Sequence, residues 1–343
     1  MSRVVDHLAE LTGYRDRDVL DASLAAALKD LLSPELVAVY RVVGEPEQER
    51  WLTRARLAPG DVAAEADPIW AELHSLPLLQ AHPARARCLR QGQPVCEVGA
   101  PALSCFPLEA DCQTVGVLEL HTREPLSAED QRLVGGMLRV YRNFQALLDY
   151  SERDSLTGLL NRKTFDVSFL QMALQPPPPL PDAAQGGLRR PGGGHGAWLA
   201  VIDIDHFKRV NDQFGHLIGD EVLLLLARLM RSTFRFHDKV YRFGGEEFVA
   251  LVRCRDQREA LGAFERLRAQ VAAHPFPQVG NITVSIGFTR VRAGDTPNEA
   301  FERADRAVYF AKQHGRNRVA EHAALVAAGS LTDTPRESDI ELF

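Results

Sequence analysis

The pattern of apolar and polar positions divides the first third of the chain into helices and strands. Apolar residues at helical spacing predict a helix over residues 17–32. Apolar runs bounded by turn residues predict strands over residues 35–43, 50–57, 102–108 and 114–121. This order, with an irregular middle stretch between the two strand pairs, is typical of a small domain that combines helices with a sheet.

A second helix is predicted from Ser127 to about Arg153. Ser127 is a good N-cap, and the acidic residues Glu129 and Asp130 suit the positive end of the helix dipole. The apolar residues repeat at alternating spacings of three and four, namely Val134, Met137, Tyr141, Phe144 and Leu148. Such a stripe packs either against its own domain or against a second subunit in a parallel coiled coil, and both interpretations stay open.

Two further composition breaks set the predicted domain boundaries. Prolines 176–179 and the glycines between 186 and 194 predict a loop or insert over residues 175–197, since such a segment forms neither helix nor strand. The polar end of the chain, residues 322–343, is predicted to be a disordered tail. The resulting organisation is an N-terminal domain over 1–126, a linker helix over 127–153, and a second domain over 154–321.

Composition excludes several classes of protein. A net charge of −6 argues against a protein that coats nucleic acid, and no apolar run approaches the ~20 residues of a membrane span. The N-terminus lacks the apolar core of a signal peptide, so we expect a cytoplasmic protein. Four of the five cysteines, Cys88, Cys96, Cys105 and Cys112, lie near one another without the close pairs of a zinc site. Reduced thiols are expected there, with a redox or metal role as the alternative.

Candidate chemistry begins with the apolar strand of residues 198–205, which ends in Asp203 and Asp205. Carboxylates two residues apart share one face of a strand. They either simply end the strand or supply oxygen ligands to Mg²⁺.

The second candidate is Gly244-Gly245 between two apolar runs, the pattern of a β-hairpin with a tight turn. Glu246 and Glu247 follow the turn directly. Paired with Asp203 across a sheet, they form a carboxylate cluster that is costly unless cations neutralise it. A complex of metal and triphosphate is one such neutralising ligand, and a plain hairpin is the alternative.

Two polar segments complete the set. Lys208 can offset phosphate charge, whereas Asn211 and Asp220 carry the groups that hydrogen-bond a guanine edge. The alternative is an ordinary turn at Gly215 and Gly219 followed by an Asp220 helix cap. Residues 312–318, rich in Lys and Arg, end a helix predicted from Pro297, and they suit either the helix dipole or a triphosphate.

These residues together resemble a known family. The stretch 154–162 (DSLTGLLNR), the strand ending in Asp203, the loop 244–248 (GGEEF) and the turn 315–317 (GRN) occur in the order and spacing of GGDEF-domain diguanylate cyclases, over residues 154–319. The N-terminal phrase VGVLEL…LSAEDQRLV resembles GAF-type sensory domains. The resemblance implies an α+β fold like the palm of nucleotide cyclases, with a mainly antiparallel sheet flanked by helices.

The resemblance also implies roles for individual residues. Asp203, Glu246, Glu247 and the backbone carbonyl of Ile204 would bind Mg²⁺ or Mn²⁺, two ions per half-site, and Glu246 would be the general base for the GTP 3′-hydroxyl. The implied substrate contacts are Asn211, His216 and Asp220 for guanine and ribose, Lys208, Lys312 and Arg316 for phosphate, and Gly244 and Gly245 at the loop.

Finally, the resemblance implies an assembly and its control. Two half-sites, each with one GTP, face each other in a homodimer and form cyclic di-GMP. Arg235 and Asp238, with Arg266, match an inhibitory site for that product, and the N-terminal domain would sense a signal that the sequence does not name. The rival hypotheses are a non-catalytic cyclic di-GMP receptor and a purely structural dimerisation protein.

Overall fold

The computed structural model describes residues 2–13, 17–44, 47–68, 71–110, 113–174 and 196–332. The chain divides into two compact units, residues 1–151 and 152–343. In the part of the chain just given, no helix is both long and apolar enough to cross a membrane.

The first unit is an antiparallel sheet with helices packed on it. Its helices are α1 (Ser2–Gly13), α2 (Arg17–Leu32), α3 (Pro83–Gln91) and α4 (Ala128–Glu152). Its strands are β1 (Leu36–Val43), β2 (Arg50–Leu57), β3 (Val95–Glu97), β4 (Ala102–Ala110) and β5 (Gln113–Thr122), in the order β2-β1-β5-β4-β3. The predicted helix and four strands are confirmed within two residues at each end, whereas the likeness of residues 1–126 to a GAF domain stays a prediction.

Helix α4 belongs to the first unit because its apolar stripe is buried there. The Ser127 hydroxyl accepts the backbone N–H of Asp130 at 3.1 Å, which confirms the predicted start of the helix. Val134, Met137, Tyr141 and Leu148 share one core with α2 and the sheet. Of the two interpretations of this stripe, packing against its own domain is therefore the one observed. A coiled coil formed by the distal half of the helix with a second subunit stays a prediction.

The cysteines of the first unit lie in different environments. Cys88 and Cys105 are buried, Cys96 is exposed, and all three are free thiols. Burial raises the pKa of Cys88 to about 12, so its neutral thiol form is favoured. Cys112 lies outside the described residues.

The second unit is a six-stranded sheet covered by helices on both faces. Its strands are β6 (Leu160–Asn161), β7 (Gly196–Ile204), β8 (Lys239–Gly244), β9 (Glu247–Cys254), β12 (Val284–Arg290) and β13 (Val319–Glu321), with β10 (Pro275–Phe276) and β11 (Gly280–Asn281) as a separate pair. Its helices are α5 (Arg162–Leu174), α6 (Phe207–Phe214), α7 (His216–Thr233), α8 (Gln257–Ala273), α9 (Pro297–Gln313) and α10 (His322–Ala327).

The strand order is β13-β12-β7-β9-β8-β6, and the inner strands pair antiparallel. At the two edges, β13 pairs in parallel with β12, and β6 pairs in parallel with β8. This confirms the predicted fold class. Strand β7 is central and buried on both faces, as its continuous apolar run predicts. Residues 198, 200, 202 and 204 pack in the core with α7 and α8, whereas 199 and 201 pack with α5 and α9. By this alternation Asp203 lies on the α9 side.

Two predicted boundaries are corrected. Residues 175–195 of the predicted insert lie outside the described residues, but Gly196 and Ala197 already belong to β7. The predicted tail starts too early, because residues 322–327 form α10. His322 is buried and Leu325 packs against Ala307, Ala311 and Ala320, so this segment contributes to the core. Residues 333–343 lie outside the described part of the chain.

Candidate active site

Asp203, at the end of β7, is the most deeply buried carboxylate of the site, with 5% of the residue exposed. Its Oδ2 lies 2.7 Å from Nζ of Lys312 on α9. Its Oδ1 is buried and accepts no hydrogen bond from any described residue. Burial raises the pKa of Asp203, against the opposing effect of Lys312. A buried carboxylate oxygen without a donor is an atom suited to bind a cation.

The β8–β9 hairpin brings two further carboxylates to this end of β7. Gly244 and Gly245 form the turn with φ of +149° and +52°, so the first glycine adopts a backbone conformation that other residues avoid. Strand register places Glu247 opposite Asp203, as the predicted pairing across the sheet requires. Glu246 stands at the turn itself and is half-buried.

The carboxylates raise one another's pKa, in addition to the larger effect of burial. Burial and then the charge of Asp203 raise the pKa of Glu246. Burial, then Asp305, then Asp203 raise the pKa of Glu247. Asp305 is not among the site residues predicted from the sequence, although it stands seven residues before Lys312 and hence on the same side of α9. With Lys312 as the cation paired with Asp203, this end of the sheet is acidic and favours cations.

The predicted metal ligands are brought together only in part. Within the described ranges, no three His, Cys, Asp or Glu side chains lie close enough to hold a metal ion. Mg²⁺ usually takes one or two protein carboxylates and completes its shell with substrate phosphates and water. Asp203 with its unpartnered Oδ1, together with a neighbouring glutamate and the Ile204 carbonyl, fits that smaller requirement.

Asp205 does not join this cluster. The two carboxylates predicted to share one face separate, because Asp205 lies beyond the end of β7 and turns toward β12. Its oxygens accept hydrogen bonds from Thr283 and Ser285 and from the backbone N–H of Asn317. Both oxygens of Asp205 are therefore engaged within the protein, and Asp205 is not among the metal ligands that the family resemblance implies.

The turn is also tied to the start of the second unit through Arg242 of β8. Its guanidinium donates to the Gly245 carbonyl at 3.0 Å and to the Asp154 carboxylate at 3.1 Å. Asp154 also accepts the backbone N–H of Thr157 at 2.8 Å. These contacts hold the pKa of Asp154 below its usual value despite partial burial. The first residue of the DSLTGLLNR motif therefore supports the turn that carries Glu246.

The α6–α7 segment carries the predicted nucleotide contacts. Lys208 and His216 are exposed, whereas Asn211 and Asp220 are half-buried. Gly215 forms the turn between the helices with φ of +83°. Asp220 lies inside α7, which starts at His216, so its alternative interpretation as a helix cap is wrong.

The Asn211 side chain lies directly against Gly219. A Cβ added at Gly219 would stand 2.0 Å from Asn211 Oδ1. Gly219 is therefore a packing glycine inside α7 rather than the turn residue of the alternative prediction. Its missing side chain provides the space that Asn211 occupies.

Lys312 and Arg316 stand at the end of α9. Lys312 lies in its last turn and pairs with Asp203, whereas Arg316 is half-buried in the turn that follows. These two predicted phosphate contacts therefore lie at the C-terminal end of α9, and Lys312 reaches the carboxylate of Asp203.

The three residues of the predicted inhibitory site lie in different surroundings. The Asp238 side chain is 7% exposed and accepts the backbone N–H groups of Arg235 at 3.0 Å and Arg253 at 3.4 Å. Burial raises the pKa of Asp238 to about 6. Arg235 instead pairs with Glu259 at 2.9 Å, and Arg266 is exposed on α8. In this conformation the Asp238 carboxylate is thus occupied by backbone N–H groups.

Comparison with known proteins connects this site to one family. The family described as "Diguanylate cyclase, GGDEF domain" matches residues 186–318. This chain is 36% identical to the diguanylate cyclase DgcP of Pseudomonas aeruginosa over 241 residues, covering 64% of this chain and 34% of DgcP. It is 39% identical to the diguanylate cyclase DgcZ of Escherichia coli over 184 residues, covering 50% of this chain and 57% of DgcZ.

A solved structure gives a similar match. The GGDEF domain of DgcB from Caulobacter crescentus, in complex with c-di-GMP, is 31% identical; the match covers 50% of this chain and 96% of that domain, with a TM-score of 0.42. The chain spans between a third and somewhat more than half of the two curated relatives.

Proposed function

From the match of residues 186–318 to the GGDEF-domain family we propose that the chain is a diguanylate cyclase that converts two GTP into cyclic di-GMP and two pyrophosphates. One observation carries the proposal. The buried Asp203, whose charge raises the pKa of Glu246, leaves one carboxylate oxygen unpartnered and pairs its other oxygen with Lys312. A nucleoside triphosphate with its metal supplies both the cations that the first oxygen requires and the anions that suit the lysine.

Asp203, Glu246, Glu247 and the Ile204 carbonyl would hold Mg²⁺ or Mn²⁺, at two ions per half-site. The bound ions would supply positive charge for the attacking and leaving oxygens. Lys312, Arg316 and Lys208 would bind the phosphates. Gly244 and Gly245 lack side chains, so the nucleotide can approach the backbone of the turn.

Guanine recognition would rest on Asn211 and Asp220, with His216 contacting the ribose or base. Asp220 would accept from guanine N1–H and the 2-amino group, whereas adenine presents no donor at N1. A half-buried carboxylate left unpaired by adenine would disfavour ATP. The finding that Asp220 has no role as a helix cap supports this assignment.

In the reaction, the 3′-oxygen of each GTP forms a bond to the α-phosphorus of the other, and the bond from that phosphorus to the pyrophosphate oxygen breaks. Glu246 would take the proton of the 3′-hydroxyl. Its pKa is raised by burial and by Asp203, which makes its carboxylate a stronger base. Because one chain carries one half-site, the proposal requires a homodimer.

Regulation is proposed at two places. The first is α4, which leads directly to Asp154 and is tied into the first unit by polar contacts. Tyr141 hydrogen-bonds to the buried Asp21 of α2, and Gln145 donates to the Tyr141 hydroxyl at 3.1 Å. A signal that changes this packing would move the helix before the catalytic unit. The second is binding of the product at Arg235 and Arg266. Asp238 would join this site once its side chain leaves the backbone N–H groups from which it now accepts hydrogen bonds.

The test of the proposed function is product formation by the purified full chain with GTP and Mg²⁺, quantified by mass spectrometry. We expect cyclic di-GMP from the wild type, and a loss of about 100-fold or more in Glu246→Gln. Glu302→Gln, which removes an exposed charge elsewhere on α9, is the matched control and should retain activity. No product from a sample shown to be dimeric would contradict the proposal, and cyclic di-GMP binding without synthesis would favour the receptor hypothesis.

A further inference from the structure

The turn after α9 has an unusual backbone. Gly315, Arg316 and Asn317 have φ of +106°, +61° and +43°, so three successive residues lie in the left-handed region. Glycine adopts this region freely and Asn more readily than most residues, but Arg does so mainly where surrounding contacts hold it. The structure therefore has to contain groups that stabilise this turn.

Asp205 supplies the central contact. Its Oδ2 accepts the backbone N–H of Asn317 at 3.0 Å and the hydroxyl of Thr283 at 2.6 Å, while Oδ1 accepts the hydroxyl of Ser285 at 2.7 Å. Asp205 is 6% exposed, and hydrogen bonds to a buried carboxylate are stronger than those to neutral acceptors. Both oxygens are thus engaged by the protein itself.

The contacts fix the backbone on both sides of Arg316. The Arg316 N–H donates to the Ala311 carbonyl at 3.0 Å, and the next N–H along the chain is the one that Asp205 accepts. Asn317 is held a second time, since its Oδ1 accepts from Arg268 at 2.8 Å. The direction in which Arg316 leaves the main chain therefore depends on the Asp205 carboxylate.

We propose that Asp205 is a positioning residue for the substrate triphosphate, acting through the backbone of the 315–318 turn to orient Arg316. This inference rests on the proposed function, which assigns Arg316 to the phosphates. It gives Asp203 and Asp205 separate duties: one faces the cation site, and the other holds the anion-binding turn.

The test compares ligands with and without the outer phosphates. Binding of GMP and of a GTP analogue with a methylene group between the α- and β-phosphorus is measured by calorimetry with Mg²⁺. In Asp205→Ala we expect the triphosphate analogue to bind about tenfold more weakly, because an anchoring charged hydrogen bond is lost, with GMP affinity unchanged. Asp205→Asn should retain most of the affinity, since its amide oxygen can still accept the Asn317 N–H while its amide nitrogen donates to Ser285.

A double-mutant cycle separates positioning from a general structural effect. Once Arg316→Ala has removed the phosphate contact, adding Asp205→Ala should cause little further loss of triphosphate affinity. Ser285→Ala, which removes a contact of the same carboxylate but not of the turn, is the matched control and should bind like the wild type. Equal losses for GMP and the triphosphate analogue, or a full additional loss in the double variant, would overturn the inference.

Hydrogen exchange of the wild-type protein tests the anchor without any variant, so a poorly folding Asp205→Ala does not block the test. The Asn317 amide should be protected from exchange, and exchange at the rate of a free amide would overturn the inference. The two proposals can also fail separately. If the Asn317 amide is protected and Asp205→Ala loses affinity only for the triphosphate analogue, but the wild type forms no cyclic di-GMP, the proposed function is contradicted while the role of Asp205 is supported.

Discussion

The contact between Gly219 and Asn211 offers a way to disturb guanine recognition while leaving the fold intact. Gly219 is buried within α7 at an ordinary helical φ, so alanine is compatible with its backbone. The added Cβ would stand 2.0 Å from Asn211 Oδ1, 3.2 Å from Asn211 Cγ and 3.3 Å from Phe207 Cζ. The atom in severest conflict is the end of a flexible side chain, which can move.

The size of the effect follows from that distance. To reach an ordinary contact of 3.4 Å, Asn211 Oδ1 has to move by about 1.4 Å, which is enough to break a hydrogen bond to a bound base. A lost hydrogen bond in a half-buried site costs about 1–3 kcal/mol, or roughly 5- to 150-fold in GTP affinity. Stability should change little, because alanine is favoured over glycine in a helix by about 1 kcal/mol, which offsets the rearrangement.

The assay compares GTP with ATP as ligands of Gly219→Ala by calorimetry, with chemical denaturation to measure the free energy of unfolding. GTP affinity should fall and the preference for GTP over ATP should shrink. Gly262→Ala is the matched control, since it also places alanine in a helix, and its Cβ would meet no described atom closer than 3.9 Å. Unchanged GTP affinity in a folded Gly219→Ala protein would refute the assignment of Asn211 to guanine.

Three further predictions address inhibition, pH and packing. Arg235→Ala should raise the steady-state yield of cyclic di-GMP, because the proposed inhibitory site loses its guanidinium; product titration measures this. Asp238 has its folded pKa raised to about 6, so its ionisation costs stability as pH rises from about 4 through 6, and Asp238→Asn should flatten that decline in unfolding free energy. Gly287→Ala should destabilise the protein by about 3 kcal/mol in denaturant unfolding, since its Cβ would stand 2.2 Å from the Ala304 carbonyl oxygen.

Each of these predictions has an outcome that contradicts it. Product inhibition that persists unchanged in Arg235→Ala would contradict the proposed inhibitory site. Glu259→Gln removes the carboxylate charge that pairs with Arg235 and is the companion variant. An Asp238→Asn protein with the wild-type dependence of stability on pH means that another group titrates there. A stable Gly287→Ala protein means that β12 and α9 are not packed backbone to backbone.

Much of the secondary structure is predictable from the sequence because its signals are local. The apolar runs of β1, β2, β4, β5 and β7, the Ser127 cap of α4 and the Gly244-Gly245 hairpin each depend on residues close together in the chain. The types of group in the candidate site, carboxylates near the hairpin and cations at the end of α9, are likewise visible before any fold is known.

Tertiary structure decides which of these groups work together. Asp203 and Asp205 are two positions apart in the sequence. Asp203 pairs with Lys312 and keeps one oxygen without a donor, whereas Asp205 accepts hydrogen bonds from three donors, which belong to Thr283, Ser285 and Asn317. Partners distant in sequence likewise determine the burial of the α4 stripe, the backbone contacts of Asp238 and the packing of the helix at residues 322–327. The physical reason is that partners distant in sequence determine burial and hydrogen bonding, and strand register and helix packing select those partners.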